Sequence, residues 1–291
     1  GLVAASEGRA EHPSLRGEAR DRSAGAGASA VGRVGRVGLF PALRADLYAP
    51  SGSGRRLALS PQVGANVAVT SALRLRASTG RAFRMPTLND RFWAPGGNPD
   101  LRPESGWTAD AGVAYARGAL HAEATAFWTR TRDQIVWLPV TSDVFSPENV
   151  ARTQARGLDA TAGAARLVGP VLLDGGAAVS LLDARDRTSG FRLRYSPLWT
   201  AKLWGGLARG PLRLDVGARA VGARPTTASG SQPLPRHLVL DAHLRWTRRV
   251  GVGTVGAGLA LDNLLDARYE TVRSYPMPPR HVRLRLTLDT R

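Results

Sequence analysis

Apolar and polar residues alternate with a period of two along much of this chain, and this pattern restricts the fold more than any other feature. Successive side chains of a β-strand point to opposite faces, so the alternation predicts strands with one apolar and one polar face. The clearest segments are 57–69, 73–76, 212–220, 238–246 and 282–288. Their polar positions hold many arginines and glycines, which favours a polar face lining a lumen and an apolar face meeting lipid.

This assignment predicts the orientation of particular side chains. The following leucines should face outward, with their arginine neighbours inward: Leu73, Leu75, Leu212, Leu214, Leu284 and Leu286. No run of residues approaches the roughly 18 consecutive apolar residues of a membrane-spanning helix. The membrane is therefore expected to be crossed by strands.

The links between these segments alternate in length. Short turns are predicted near 33–36, 70–72, 117–119, 168–170, 209–211 and 249–251, and long links at 49–56, 83–105, 131–152, 184–190, 222–235 and 263–279. Outer-membrane barrels have short periplasmic turns and long extracellular loops, so the alternation favours such a barrel over a soluble meander. Following the links predicts about 14 antiparallel strands, almost no helix and a periplasmic C-terminus.

The composition excludes several classes of protein. The formal net charge of +17 would suit a nucleic-acid-binding surface. However, the basic residues are spread singly along the chain and, apart from Lys202, all are arginine. We therefore expect no nucleic-acid partner. The absence of cysteine excludes disulfides, thiolate catalysis and cysteine-based metal sites.

Two motifs resemble those of TonB-dependent outer-membrane receptors. The first is FRMPT at 83–87 followed by NPDLRPE at 98–104, which is similar to the family signature FRxPT…NPxLxPE. Its Glu104 is expected to pair with a nearby arginine and pin the loop. The second is DNLLDARY at 262–269 followed by SYPMPPR at 274–280, which is similar to the family's NLFDxxY and YPMPGR segments. Its Asp-Asn pair is expected to end a strand by capping turns.

The resemblance implies that residues 1–291 form one partial TonB-dependent receptor-like β-barrel, with 1–36 only weakly matched. The implied fold class is all-β, a transmembrane antiparallel β-barrel in which these residues supply the C-terminal ~14 strands of a 22-stranded barrel, with the plug domain absent. The implied location is the outer membrane of a Gram-negative type of cell. The expected partners are outer-membrane lipid, a metal chelate, and TonB through a plug domain outside these residues; a monomer is expected.

The function implied by the resemblance is the binding and import of a metal chelate, either a ferric siderophore or cobalamin. The alternative is a passive outer-membrane porin, or a structural barrel without a ligand. No catalytic constellation stands out, so we expect no enzyme and no cofactor. The pairs His121 with Glu123 and His237 with His243 lack a third ligand at suitable spacing, so no resident metal site is expected either.

The loop at 83–105 is the best candidate for contact with a chelate. It offers aromatic surface, arginine forks and amides together. The candidate ligand-binding residues are Arg84, Asn89, Asp90, Arg91, Phe92, Trp93 and Asn98. The same residues could instead pack and pin the loop, and the sequence leaves both roles open. The loop has no histidine, which disfavours haem as the ligand.

Overall fold

The computed structural model describes residues 2–10, 19–50, 54–140, 144–150, 152–227 and 229–290. The chain divides into two compact units. Unit 1 comprises Gly1–Ala111, Phe127–Arg156 and Arg185–Gly190. Unit 2 comprises Gly112–Ala126, Gly157–Ala184 and Phe191–Arg291.

The described residues form strands with one short helix. The first elements are β1 Leu2–Ala10, β2 Ala19–Ser29, β3 Gly32–Val34, β4 Val37–Ala49, β5 Arg56–Ala68, β6 Leu73–Arg84, α1 Leu88–Phe92, β7 Glu104–Arg117, β8 Leu120–Arg132, β9 Gln134–Pro139 and β10 Phe145–Val150. The remaining elements are β11 Thr153–Val168, β12 Val171–Asp186, β13 Trp199–Arg209, β14 Leu212–Val221, β15 His237–Val250, β16 Gly253–Asp262, β17 Glu270–Val272, β18 Tyr275–Pro276 and β19 His281–Thr290. In the described ranges, no helix is long and apolar enough to cross a membrane.

Neighbouring strands pair in the antiparallel sense. In unit 1 the hydrogen-bonded order is β1-β2-β4-β5-β6, with β3 beside β4 and with β9 and β10 forming a separate hairpin. In unit 2 the order is β12-β13-β14-β15-β16-β19, and β17 pairs with β18. With β7, β8 and β11 included, the order contains 14 strands over the part of the chain that is described. The predicted all-β antiparallel architecture is confirmed.

The short turns and long links occur where the sequence predicts them, with four differences. One is that the link at 263–279 contains the paired strands β17 and β18. The link at 83–105 contains helix α1, and the link at 131–152 contains the hairpin of β9 and β10. The link predicted at 184–190 instead runs from 187 to 198, because Pro197 cannot donate a hydrogen bond to a strand partner and Tyr195 has a φ of 58°. The links at 49–56, 131–152 and 222–235 also include residues outside the described ranges.

The apolar faces of the strands are exposed, as predicted. In unit 2, Leu214 of β14 lies opposite Leu207 of β13 and Leu244 of β15, so leucines line one face. On β19, Leu284 and Leu286 are 82% and 86% exposed. Leu75, Leu212 and Leu214 are exposed and Leu73 is half-exposed. The hydrophobic residues buried within the described ranges are few: Leu101, Ile135, Ala184, Val221, Leu234 and Val239. Such a broad exposed aliphatic face needs an apolar environment.

The opposite face of unit 2 carries charge pairs between strands. Arg213 Nη1 lies 3.0 Å from Asp174 Oδ1, and Arg213 Nε donates to Asp215 Oδ1 at 2.8 Å. Gly206 of the intervening strand lies opposite both Asp174 and Asp215, and a Cβ there would lie 2.5 Å from Arg213 Nη2. Glycine therefore gives the guanidinium room to cross β13. Side-chain pairing of this kind ties the polar face of the sheet together.

Candidate ligand-binding loop

Helix α1 begins with a capping box in the link between β6 and β7. The Thr87 hydroxyl accepts a hydrogen bond from the Asp90 backbone N–H at 3.1 Å, and Asp90 Oδ2 accepts one from the Thr87 N–H at 2.9 Å. The two bonds satisfy backbone donors that a helix start leaves unpaired. The sequence interpretation missed this helix, although the spacing of threonine and aspartate over 87–90 is a signal for it.

Asp90 is the centre of the loop and is only 7% exposed. Its Oδ1 accepts a hydrogen bond from Trp137 Nε1 of β9 at 3.0 Å, and its Oδ2 lies 3.5 Å from Arg84 Nη1. Burial raises the pKa of Asp90, but the hydrogen bonds from Thr87 and Trp137 and the charge of Arg84 lower it more. The net pKa lies below its ordinary value, so the carboxylate is charged at neutral pH.

The predicted pinning role of Glu104 is confirmed. Glu104 Oε1 lies 2.6 Å from Arg84 Nη2 and accepts a hydrogen bond from the Ile135 backbone N–H at 2.6 Å. Arg84 thus joins the carboxylate of Asp90 in helix α1 to that of Glu104 at the end of the loop. The ion pair between Arg84 and Glu104 ties the start of the loop to its end, and the hydrogen bond from Ile135 ties the same glutamate to β9.

A second set of bonds fixes the loop to β10. Asn98 Nδ2 donates to the Pro147 carbonyl at 3.1 Å. Asn149 accepts from the Arg102 N–H at 2.7 Å and donates to the Arg102 carbonyl at 2.9 Å. A Cβ added at Gly96 would overlap the Phe145 carbonyl oxygen, so the two backbones are in direct contact. The loop and the hairpin are therefore one docked assembly.

Arg91 attaches α1 to strand β2. It is 3% exposed, and its Nη1 lies 3.0 Å from Asp21 Oδ1. Its guanidinium carbon lies 4.6 Å from the centre of the Phe92 ring. The contact with Asp21 spans 70 residues of sequence, which is why the local pattern did not reveal it.

The structure brings all seven candidate residues into this loop but gives them different surroundings. Asp90 and Arg91 are buried in the bonds described above, and Arg84 and Asn98 are bonded within the assembly while remaining partly exposed. Asn89 and Trp93 are exposed and Phe92 is half-exposed, so these side chains present the loop's accessible surface. Sequence reasoning missed Trp137, whose strand lies inside what looked like an irregular link.

The second motif also makes a buried polar centre, in unit 2. Asn263 is 4% exposed and has a φ of 53°. Its Nδ2 donates to the carbonyls of Ala267 at 3.0 Å and Pro278 at 3.2 Å, and its Oδ1 accepts from the Ala267 N–H at 2.9 Å. Its backbone N–H donates to Asp241 Oδ1 at 2.8 Å. The predicted capping role is confirmed for Asn263, which holds the link between β16 and β19.

Residues 13–264 match the family model described as TonB dependent receptor-like, beta-barrel. The vitamin B12 transporter BtuB of Photobacterium profundum is 25% identical over 224 residues, covering 73% of this chain and 34% of that protein. BtuB of Vibrio vulnificus is 24% identical over 217 residues, covering 73% and 33%. The chain therefore spans about a third of the length of these relatives.

Solved structures give the same picture for the fold. A mutant of the ferric enterobactin receptor PfeA from Pseudomonas aeruginosa superposes with a TM-score of 0.75 at 20% identity, covering 96% of this chain and 47% of that one. The FrpB iron transporter from Neisseria meningitidis has a TM-score of 0.72 at 17% identity, covering 92% and 45%. The predicted fold class, an antiparallel transmembrane β-barrel, is confirmed by this likeness.

Proposed function

Because this chain belongs to the TonB-dependent receptor family, we propose that it is part of an outer-membrane receptor that binds and imports a metal chelate. A cobalamin is the first ligand to test, since the BtuB relatives are vitamin B12 transporters. A ferric siderophore is the second. Import would require TonB, acting through a plug domain, and the long links would face outward. The observation that carries the proposal is the docked loop with its exposed aromatic surface.

The length of the apolar face supports a place in the outer membrane. On β13, Trp199 and Arg209 bracket an apolar row that contains Leu203 and Leu207. The ten steps from Trp199 to Arg209, at about 3.4 Å each, span about 34 Å along the strand. A strand tilt of about 40° reduces the height of this span to about 26 Å. The apolar band of outer-membrane barrels is about 25 Å tall, so the row matches the lipid layer.

The chemistry of the loop supports a chelate as the ligand. Trp93 is 36% exposed and follows the half-exposed Phe92, and Asn89 and Arg84 of the same loop expose an amide and a guanidinium. A corrinoid or a siderophore presents apolar faces together with amide or anionic groups, which suit aromatic rings and arginine forks. The bonds from Asp90 and Glu104 hold this surface in place before the ligand arrives, which reduces the entropy cost of binding.

Replacing Trp93 with alanine is expected to weaken chelate binding about tenfold to a hundredfold, as truncation of an aromatic anchor commonly does. The measurement is isothermal titration of the natural protein at its full length, in detergent, with cyanocobalamin and with a ferric catecholate siderophore. The matched control is Trp128→Ala, because Trp128 of β8 is also 36% exposed but lies outside the loop. The control should bind like the parent.

Two results would contradict the proposal in different ways. If Trp93→Ala binds as tightly as the parent, the loop is a structural element and the chelate binds elsewhere. If the parent binds neither chelate while its bilayer conductance is that of an open channel, the passive porin is the better account.

A further inference from the structure

The apolar face of unit 2 ends in arginines beside the short turns. On β13 the positions of this face run through Leu203 and Leu207 to Arg209, and on β15 they run through Leu244 and Trp246 to Arg248. Both arginines are exposed and Trp246 is half-exposed. Within the described ranges of the chain, neither guanidinium has an acidic partner. Each therefore lies at the edge of an aliphatic surface without a counter-ion from the described residues.

Two arginines on the opposite face of the sheet, Arg213 of β14 and Arg283 of β19, are placed differently. Arg213 lies between Asp174 and Asp215, and Arg283 Nε donates to Asp262 Oδ2 at 2.7 Å. For these two arginines on the polar side of the sheet, the protein itself supplies the carboxylates. On the apolar side the compensating negative charge has to come from outside the protein, because an unpaired charge next to hydrocarbon is costly.

The register brings the three side chains into one neighbourhood. Arg209 lies opposite Leu212, and Leu212 lies opposite Trp246. With neighbouring strands about 4.8 Å apart, the Cα atoms of Arg209 and Trp246 are about 10 Å apart, and Arg248 is about 7 Å further along β15. The arginine side chains are long enough to reach a common group above Trp246 from two sides.

We propose that Arg209, Trp246 and Arg248 bind the phosphodiester headgroup of an anionic phospholipid, whose acyl chains lie on the adjoining leucines. The proposal rests on the outer-membrane location proposed above. Guanidinium groups pair with phosphate oxygens through two N–H donors, and tryptophan favours the headgroup level of a bilayer. The pair of uncompensated positive charges selects an anionic lipid over a zwitterionic one.

The test is the retention of phosphatidylglycerol by the purified natural protein at its full length. Native mass spectrometry would count bound lipid for the parent and for the Arg209→Gln, Arg248→Gln double variant. The double variant is expected to bind phosphatidylglycerol about tenfold to thirtyfold more weakly, since each arginine near an anionic lipid surface contributes about fivefold. Arg285→Gln is the matched control, because Arg285 is exposed but lies on the polar face opposite Gly258.

Additional binding measurements identify the class of ligand. Phosphatidylcholine should be retained weakly and equally by the parent and the variants, and millimolar inorganic phosphate should not displace the bound lipid. Displacement by phosphate would show a general anion site and overturn the lipid proposal. Equal loss of phosphatidylglycerol in the Arg285→Gln control, or none in the double variant, would overturn it as well. If the double variant does not assemble, the two single variants are measured in the same way.

Failure of this proposal is separable from failure of the proposed function. Flotation of the parent with phosphatidylcholine vesicles reports membrane insertion without any anionic lipid. If the parent does not float, the membrane location itself is wrong. If the parent floats and the double variant retains phosphatidylglycerol like the parent, only the lipid site is wrong.

Discussion

Replacing Asp90 with alanine is expected to detach the hairpin of β9 and β10 from the ligand-binding loop and to abolish chelate binding. The change removes the acceptor of Trp137 Nε1, the capping partner of Thr87 and one of the two carboxylates that hold Arg84. Leaving the part-buried Trp137 Nε1–H without its acceptor typically costs about 1–3 kcal/mol and losing the capping bond about 1 kcal/mol more, and this cost would fall on local opening of the loop. Hydrogen exchange of the amides at 134–138 and 144–150 would measure it directly.

Asp90→Asn is the matched control for this prediction. Asparagine retains an oxygen that accepts from Trp137 or Thr87 but loses the charge that faces Arg84. We expect its hairpin amides to exchange faster than those of the parent and more slowly than those of the alanine variant. Parent-like exchange in Asp90→Ala would mean that Asn98 and Asn149 hold the hairpin without Asp90. The attachment of the hairpin would then not depend on Asp90.

Replacing Asn263 with alanine is expected to destabilise the natural protein by about 3–4 kcal/mol. The change leaves the carbonyls of Ala267 and Pro278 and the N–H of Ala267 without their partner, and buried polar groups left unpaired cost about 1–3 kcal/mol each. Alanine also tolerates a φ of 53° less well than asparagine does. Urea unfolding of the folded protein in lipid vesicles measures the change.

Two further variants separate the causes. Asn263→Gly loses the same side-chain bonds but adopts positive φ freely, so it should be more stable than the alanine variant by about 1 kcal/mol. Leu265→Ala, at a neighbouring position that is 54% exposed, should stay within about 0.5 kcal/mol of the parent. An alanine variant at position 263 with parental stability would contradict the role assigned to this residue.

The strands could be predicted from the sequence because their order is local. Alternation of leucine and arginine over 282–288 identifies both faces of β19 without knowledge of its partner. Helix α1 was missed because a five-residue helix carries little periodicity and depends on its capping box. The start of β13 was missed because the segment before Pro197 contains apolar residues at strand-like spacing, although Tyr195 turns the chain there.

The candidate loop was predictable in position but not in its internal bonds. The motif order indicated that Glu104 would meet an arginine, and the structure identifies it as Arg84. The partners of Asp90 and Arg91 are Trp137 and Asp21, at separations of 47 and 70 residues. Contacts over such distances leave no local pattern, so the sequence could not distinguish a ligand contact from a residue that holds the loop. Ligand binding by the seven residues remains a prediction.

The most direct test of the central claim, a strand wall with its leucine face toward membrane lipid, is a spin-label scan along β14. The chain has no cysteine, so single cysteines at each position of 214–220 can be labelled cleanly in the natural protein in lipid vesicles. Positions 214, 216, 218 and 220 should collide with oxygen, which concentrates in lipid, while 215, 217 and 219 should not. Uniform accessibility along the strand, or access of a water-soluble nickel complex in place of oxygen to positions 214, 216, 218 and 220, would contradict the membrane account.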